Sequence, residues 1–592
     1  MDQRNSSQMT AVLQPENHKE EWHCEREQQK SNTGSSHAAS PSSSATSSSP
    51  PSSSPPFRNE ERRPCREAEM AWLQWEDSSS SSCPLSDLKR IDQCRHKLGR
   101  LSFSGTHAVL VDVNAFNCER KVRPQGGMDV WQSNVVKMPC SQSSFMTKTG
   151  FFKTSNQVIR WEVISKQLNG LAKKKEASVD DVEEAIISYN PKYKGQWSFD
   201  ALANLVKYVP KTENYFSILF PKIAELALQL PDCVKKAIPL LQKGQDMSIT
   251  LSQDQISCLL ANAFFCTFPH RNTTDARAEY HNYPSINFTS LFGRQSKRKR
   301  EKLRAIMYYF KVVTDDRTKP KGLVTFERRV LSDTDISHWR SCQQTMPKLH
   351  VTSQGSIETG GTGLLQVDFA SSWIGGGVLS SGLVQEEILF LMNPELIVSR
   401  LFTEKLADNE CLIVTGSQQY SSYAGFSDTF EWVAPHDDRL QRDEWARLQR
   451  QILAIDALNY KHRREQYSML KVSRELNKAY CGFKGERLNE PDIATGKWGC
   501  GAFNGDPQLK AVIQLMAAAR ARRGLAFFTF EDEKLKQELQ QIHHLLVKEG
   551  TKVGKLLGLL EDFCAVQQAS SGSHVELFEF IRNTLKPSRS QL

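Results

Sequence analysis

The chain has 592 residues, 39% of them hydrophobic and 24% charged, which is too long for one ordinary domain and supplies ample material for a sizeable core. A net charge of +9 over that length is a mild basic bias, compatible with a polyanionic partner without demanding one, and the 14 cysteines show no paired metal-ligand spacing. These features exclude a disulfide-stapled small domain. No run approaches the roughly 18 apolar residues of a membrane span, and Met1 to Asn17 lack the apolar stretch of a secretory signal, so a soluble, intracellular protein is expected.

From Ser31 to Pro56 the sequence is dominated by Ser, Pro, Ala and Thr, and a second serine run fills Ser78 to Ser82. Such segments cannot bury enough apolar surface to offset the entropy of ordering them. Residues 1–125 are expected to form a disordered Ser/Pro-rich tail, either open to phosphorylation or a plain spacer.

Between residues 126 and 305 helical spacing of apolar residues prevails, over Ile159 to Leu171, Val179 to Ile187, Phe199 to Val206, Tyr215 to Leu230 and Gln253 to Phe265. Ser252 is a good N-cap for the last of these, whose apolar run reads as a buried helix. No strand–turn–strand rhythm shows there, so this region is expected to be a helical accessory domain.

From residue 306 to 592 short apolar, β-branched or aromatic runs alternate with helical stretches. Expected strands are Met307 to Val313, Leu323 to Phe326, Leu364 to Phe369, Cys411 to Thr415 and Ala526 to Phe530. Expected helices are Gln385 to Met392, Pro394 to Lys405, Trp445 to Ile455, Lys471 to Ala479 and Pro507 to Arg520. Alternation of this kind points to an α/β fold of three layers. Asn393 and Pro394 begin a new helix, which confines Gln385 to Met392 to a short element beside a glycine loop.

Three consecutive glycines, Gly375, Gly376 and Gly377, let a backbone adopt positive φ and approach a ligand, and their N–H groups can form a nest for phosphate oxygens. Taken alone, such a run fits a flexible turn better. Gln385, Glu386 and Glu387 follow, with Ile388 to Leu391 directly after them. Carboxylates so close to apolar neighbours and to each other should keep a proton, as glycoside cleavage needs, although a solvated helix start would also explain them. Asp368 ends an expected strand just before the glycines, where α/β folds bind ligands, or it caps the loop.

Together these segments form a pattern. Val367-Asp368-Phe369-Ala370, Gly375-Gly376-Gly377-Val378 and Gly382-Leu383-Val384-Gln385-Glu386-Glu387-Ile388 resemble the signature of the poly(ADP-ribose) glycohydrolases. Asn393-Pro394-Glu395-Leu396, Arg474 to Phe483, Trp498-Gly499-Cys500-Gly501-Ala502-Phe503 and Leu260 to Cys266 are similar to that family too, so the resemblance covers roughly residues 125 to 590.

The resemblance implies a macrodomain-like three-layer α/β/α catalytic domain preceded by a helical accessory region. It implies hydrolysis of the ribose–ribose O-glycosidic bond in poly(ADP-ribose), releasing ADP-ribose through an oxocarbenium-like transition state without metal or cofactor. Asp368, Glu386 and Glu387 would be the catalytic acids. Glu387 would protonate the departing ribose hydroxyl and then activate water, while Glu386 orients substrate and supplies negative charge. Ile357 and Glu358 would hold the adenine and Gln385 would touch substrate. Two loops, Gly375 to Gly377 and Gly499, Cys500, Gly501, Ala502 and Phe503, would surround the diphosphate, and Phe530 would pack on the distal ribose. The implied partners are poly(ADP-ribose) and proteins carrying it, with no membrane and no sequence-specific nucleic acid. A monomer of the nucleus and cytoplasm, serving the DNA damage response, is expected.

Three positions depart from the family pattern. Ser371 stands where Asn is usual, and a hydroxyl reaches less far than an amide. Phe426 stands for Tyr, keeping a ring to stack on adenine but losing the phenol, and Lys497 stands for Asn. Ser371 keeps open a rival reading, a module that recognises ADP-ribose ends without hydrolysing them. An oxidoreductase is opposed by the lack of G-x-G-x-x-G after a strand. The basic run Lys297-Arg298-Lys299-Arg300, with Lys302 and Arg304, reads as a localisation signal, a polyanion patch or a solvated helix face.

Overall fold

The computed structural model describes residues 82–94, 97–149, 155–209, 214–273, 275–336, 338–485, 489–569 and 575–586, all within one unit spanning 79–592. Its organising element is a sheet of nine strands in the order β1-β4-β5-β8-β11-β7-β12-β13-β6. These are β1 (His107–Val109), β4 (Met247–Ser252), β5 (Leu323–Val330), β6 (Leu349–Thr352), β7 (Leu365–Ala370), β8 (Glu410–Thr415), β11 (Gln451–Asp456), β12 (Ile493–Gly496) and β13 (Leu525–Phe528). Two antiparallel pairs stand apart from it, β2 (Phe145–Thr149) with β3 (Ser155–Ile159), and β9 (Ser421–Ala424) with β10 (Glu431–Pro435).

The sheet has two characters. The run β11-β7-β12-β13-β6 is parallel throughout, whereas the pairs β11-β8, β8-β5 and β5-β4 are antiparallel and the edge pair β4-β1 is parallel again. Side chains alternate across it. Leu412, Val414, Ile452 and Ala454 join the core shared with the N-terminal helices, while Cys411, Ile413, Leu453 and Ile455 join the core under the C-terminal helices. Helices cover both faces, which yields the three-layer α/β/α arrangement, and the helices Arg160–Ala172, Val179–Tyr189, Asp200–Tyr208, Phe216–Leu228 and Gln253–Phe264 make up the helical region. No helix among the described residues is long and apolar enough to cross a membrane.

Several expectations change here. The expected tail, for residues 1–81, lies outside the described residues, but residues 82–125 contribute to the fold. His107–Val109 pairs parallel with β4, Leu88 is buried against Ile357 and Phe528, and Val113–Glu119 forms a helix capped by Asp112. The low-complexity composition stops near Ser82, and the apolar residues beyond it are numerous enough to be buried. The helical region also is not free of strands: β2 and β3 pair, and β4 enters the main sheet, so the sheet draws strands from both sides of residue 306.

Met307 to Val313, expected as a strand, is the second half of the 17-residue helix Lys297–Val313, whose Leu303, Ile306, Met307, Phe310 and Val313 form one buried stripe. Ser296 caps that helix by accepting from the Lys299 N–H. Trp445 to Ile455, expected as a helix, gives way to β11, because Ile452 to Ile455 is buried on both faces of a parallel strand and has no amphipathic period. Pro394 to Lys405 is a 3-10 turn, Pro394–Val398, followed by a short helix, Ser399–Phe402.

Candidate active site

The carboxyl ends of the five parallel strands open into one cavity of about 560 Å³. Ser353 to Ser356 follow β6, Phe369 and Ala370 end β7, Ala457 follows β11, Lys497 to Gly499 with Gly501 to Phe503 follow β12, and Phe530 follows β13. Phe426 and Tyr423, from the β9–β10 pair, face them across the opening. Phe426 and Phe530 are 53% and 37% exposed, so the rim offers two uncovered aromatic rings. Phe530 and Glu531 both hold positive φ, and Gly496 makes room for the Phe530 ring, which a Cβ there would meet at 2.7 Å.

Behind that wall lie the three acids. On β7 the two-residue period turns Leu365 and Val367 to the C-terminal helices and Asp368 to the opposite face, where the helix Gln385–Met392 packs. Gln385 ties the two elements together: its Oε1 accepts from the Phe369 N–H at 2.8 Å and its Nε2 donates to Val367 O at 3.3 Å. Asp368, Glu386 and Glu387 are 0%, 3% and 6% exposed. They do not themselves line the cavity; their neighbours Phe369, Ala370, Val384, Gln385 and Ile388 do.

Each glutamate is held by backbone N–H groups. Glu386 accepts from Ser371 (2.8 Å) and Gly375 (2.7 Å), and Glu387 from Gly377 (2.8 Å) and, reaching back over the helix start, Val384 (2.8 Å). Among the described residues neither oxygen of Asp368 has a hydrogen-bond partner. Burial, then Glu387 and Glu358, push the Asp368 carboxyl well above the usual carboxylate range. Burial, Asp368 and Glu387 push Glu386 up in the same way, against the pull of its two N–H donors. A cluster of this kind keeps a proton at neutral pH.

The glycines serve this arrangement. Gly375 and Gly376 have φ of +80° and +44°, and a Cβ on Gly376 would stand 2.5 Å from Glu387 Oε1 and 2.8 Å from Glu386 Oε2. The expectation that the three glycine N–H groups form a phosphate nest is corrected: those of Gly375 and Gly377 go to the glutamates and that of Gly376 to Trp373 O at 2.9 Å. The nest is filled by the chain's own carboxylates. In the second loop, by contrast, the N–H groups of Gly499, Gly501, Ala502 and Phe503 meet no acceptor among the described residues.

Comparison with known proteins gives the family. Residues 336–537 match the profile of the poly(ADP-ribose) glycohydrolase macro domain fold, and residues 209–328 that of the same family's helical domain. Poly(ADP-ribose) glycohydrolase 1 of Arabidopsis thaliana is 30% identical over 458 residues, covering 63% of this chain and 82% of its own length. The chain belongs to the poly(ADP-ribose) glycohydrolase family. Probable poly(ADP-ribose) glycohydrolase 2 of Arabidopsis thaliana is 27% identical over 442 residues (63% and 83%), and poly(ADP-ribose) glycohydrolase 1 of Caenorhabditis elegans is 31% identical over 394 residues (62% and 48%).

Of the substrate-binding positions that family membership suggests, Glu358, Gln385, Phe426, Gly499, Gly501, Ala502, Phe503 and Phe530 lie on the cavity wall. Ile357 does not: its side chain is buried with Leu88, Leu364 and Phe528, although the adjoining Glu358 reaches the wall. Cys500 is turned back to Trp498 O, and the Ser371 hydroxyl accepts from the Trp373 N–H at 3.2 Å. Neither lines the cavity.

Two cations escaped the sequence reading. Arg400, buried, donates to Ile374 O (2.6 Å) and Gly376 O (3.0 Å), and burial lowers its pKa to about 10 while Glu386 and Glu387 raise it. Its signal was a lone charge inside the apolar run Leu396 to Phe402. Lys302, also buried, belongs to the basic run, yet its spacing from Ile306, Tyr309 and Val313 puts it on the apolar stripe of its helix. The reading of the run as a solvated helix face therefore fails for Lys302, which the helix turns into the core.

Proposed function

We propose that this chain hydrolyses the ribose–ribose O-glycosidic bond of poly(ADP-ribose), with Glu387 as acid and base. The observation that carries this reading is the buried set Asp368, Glu386 and Glu387 at the carboxyl end of β7, directly behind a cavity rimmed by Phe426 and Phe530. The adenine stacks on Phe426 beside Glu358, and the diphosphate lies along the N–H groups of Gly499, Gly501, Ala502 and Phe503, which meet no acceptor among the described residues. Lys497, the one lysine or arginine on the cavity wall among the described residues, adds positive charge there. The distal ribose is held between Phe530 and Gln385.

In the reaction Glu387 gives its proton to the leaving ribose oxygen as the glycosidic C–O bond breaks. Of the two acids that burial pushes up, Glu386 is the one with two backbone N–H donors, which favour its charged form, and it carries the negative charge that stabilises the developing positive charge on the ribosyl ring. Glu387 then takes a proton from water as its oxygen bonds to the anomeric carbon, which frees ADP-ribose and restores the acid. Asp368, kept protonated by burial, lets the other two acids coexist without a third negative charge. Proteins carrying the polymer are the macromolecular partners under this reading.

The test is incubation of the purified chain with labelled poly(ADP-ribose). Shortening of the polymer with release of ADP-ribose is expected. Tight binding with no shortening would favour the recognition module that Ser371 suggests.

A further inference from the structure

Lys302 is fully buried in the helix Lys297–Val313, and no carboxylate pairs with it among the described residues. Its Nζ donates to three carbonyls, those of Gly377 (2.9 Å), Val378 (3.2 Å) and Ser380 (2.9 Å). Three acceptors call for three donors, which only the ammonium form supplies. The carbonyls belong to the turn that leaves the glycine run, and the N–H of Gly377 is the donor to Glu387 Oε1 at 2.8 Å. Lys302 and Glu387 therefore grip Gly377 from opposite ends. From the same helix Arg298 donates to Ser381 O at 3.3 Å and pairs with Asp428 at 2.6 Å, next to Phe426.

A buried ammonium is costly unless it is well solvated by the protein. Holding a surface turn would not require one. Here one residue, Gly377, separates the charge from the reacting carboxylate, and Lys302 does not line the cavity. We propose that Lys302 is a positioning residue of the active site: acting through Gly377, it fixes the direction from which Glu387 meets the glycosidic oxygen, and its charge balances Glu387 once the proton has left.

The charged groups around Nζ are Glu387, Arg400 and, from its own helix, Arg298 and Lys299; burial pushes the amine down to about 7, which Glu387 opposes. Because Lys302 loses its proton as pH rises, the role implies an alkaline limb in kcat.

The proposal rests on the polymer hydrolysis proposed above, so wild type is assayed alongside. A wild type that leaves the polymer intact would overturn that hydrolysis rather than the role of Lys302. With active wild type, Lys302→Met should lower kcat by about tenfold to hundredfold while KM and ADP-ribose affinity stay within about twofold. The alkaline limb should flatten. Lys302→Gln, whose amide keeps two N–H donors, should fall between the two and decides the matter if the Met variant does not fold. Unchanged kcat in either folded variant, or a loss of kcat matched by an equal loss of ADP-ribose affinity, overturns the proposal. Failure of both variants to fold also overturns it, by making Lys302 structural only.

Discussion

Two glycine-containing loops leave neighbouring strands of the parallel sheet and are put to opposite uses. In Gly375 to Gly377 every glycine N–H is engaged, two of them on the carboxylates of Glu386 and Glu387, and the carbonyls behind are gripped by Arg400 and Lys302. In Gly499 to Phe503 four N–H groups meet no acceptor among the described residues, while the loop is held from behind by Trp498, whose Nε1 donates to Ile455 O at 2.9 Å. Lys510 stands over the Trp498 ring at 4.1 Å and pairs with the buried Glu475. The lesson is that a glycine run identifies a backbone free to turn its N–H groups toward an anion, but not whose anion it is.

That contrast can be broken or sharpened by substitution. The largest effect should come from Glu387→Gln: turnover of polymer falls by about a thousandfold or more in a release assay. Gly376→Ala places a methyl against both carboxylates and should cut kcat by roughly a hundredfold. In the second loop Gly499 has φ of +73°, and an added Cβ would meet the Ala457 Cβ at 2.5 Å. Gly499→Ala should therefore weaken ADP-ribose binding by about tenfold in calorimetry, with kcat at saturation changed by no more than about threefold.

The smallest effect concerns stability. The Asp368 pKa is raised on folding, so its contribution is fully present below the ordinary value of about 3.9 and is lost as pH rises toward the higher folded value. Asp368→Asn removes that penalty. Thermal melts should show a gain at neutral pH that shrinks to nothing as pH falls below about 4.

Elements with a clear period were legible in the sequence. Gln253–Phe264, Gln385–Met392 and Pro507–Ala521 carry their own caps, in Ser252, the back-reaching Glu387 and Asp506, and β7 ends where its apolar alternation ends. Ile452 to Ile455 and Met307 to Val313 were not, because a short apolar run is equally compatible with a buried strand and a buried helix until its partners are known. The acids Asp368, Glu386 and Glu387 were readable from their pattern. What set their environment was not. Arg400 approaches the glycine loop from outside the local segment and Lys302 from the helical region, and only tertiary packing turns a basic residue on an apolar stripe into a support for that loop.

The division of labour between the loops is tested most directly by the dissociation constant of ADP-ribose for Gly376→Ala. Gly376 does not line the cavity. Affinity within about threefold of wild type is expected, alongside the large loss of turnover. A weakening of tenfold or more would contradict the account, since it would mean that the first loop, and not the second, carries the diphosphate.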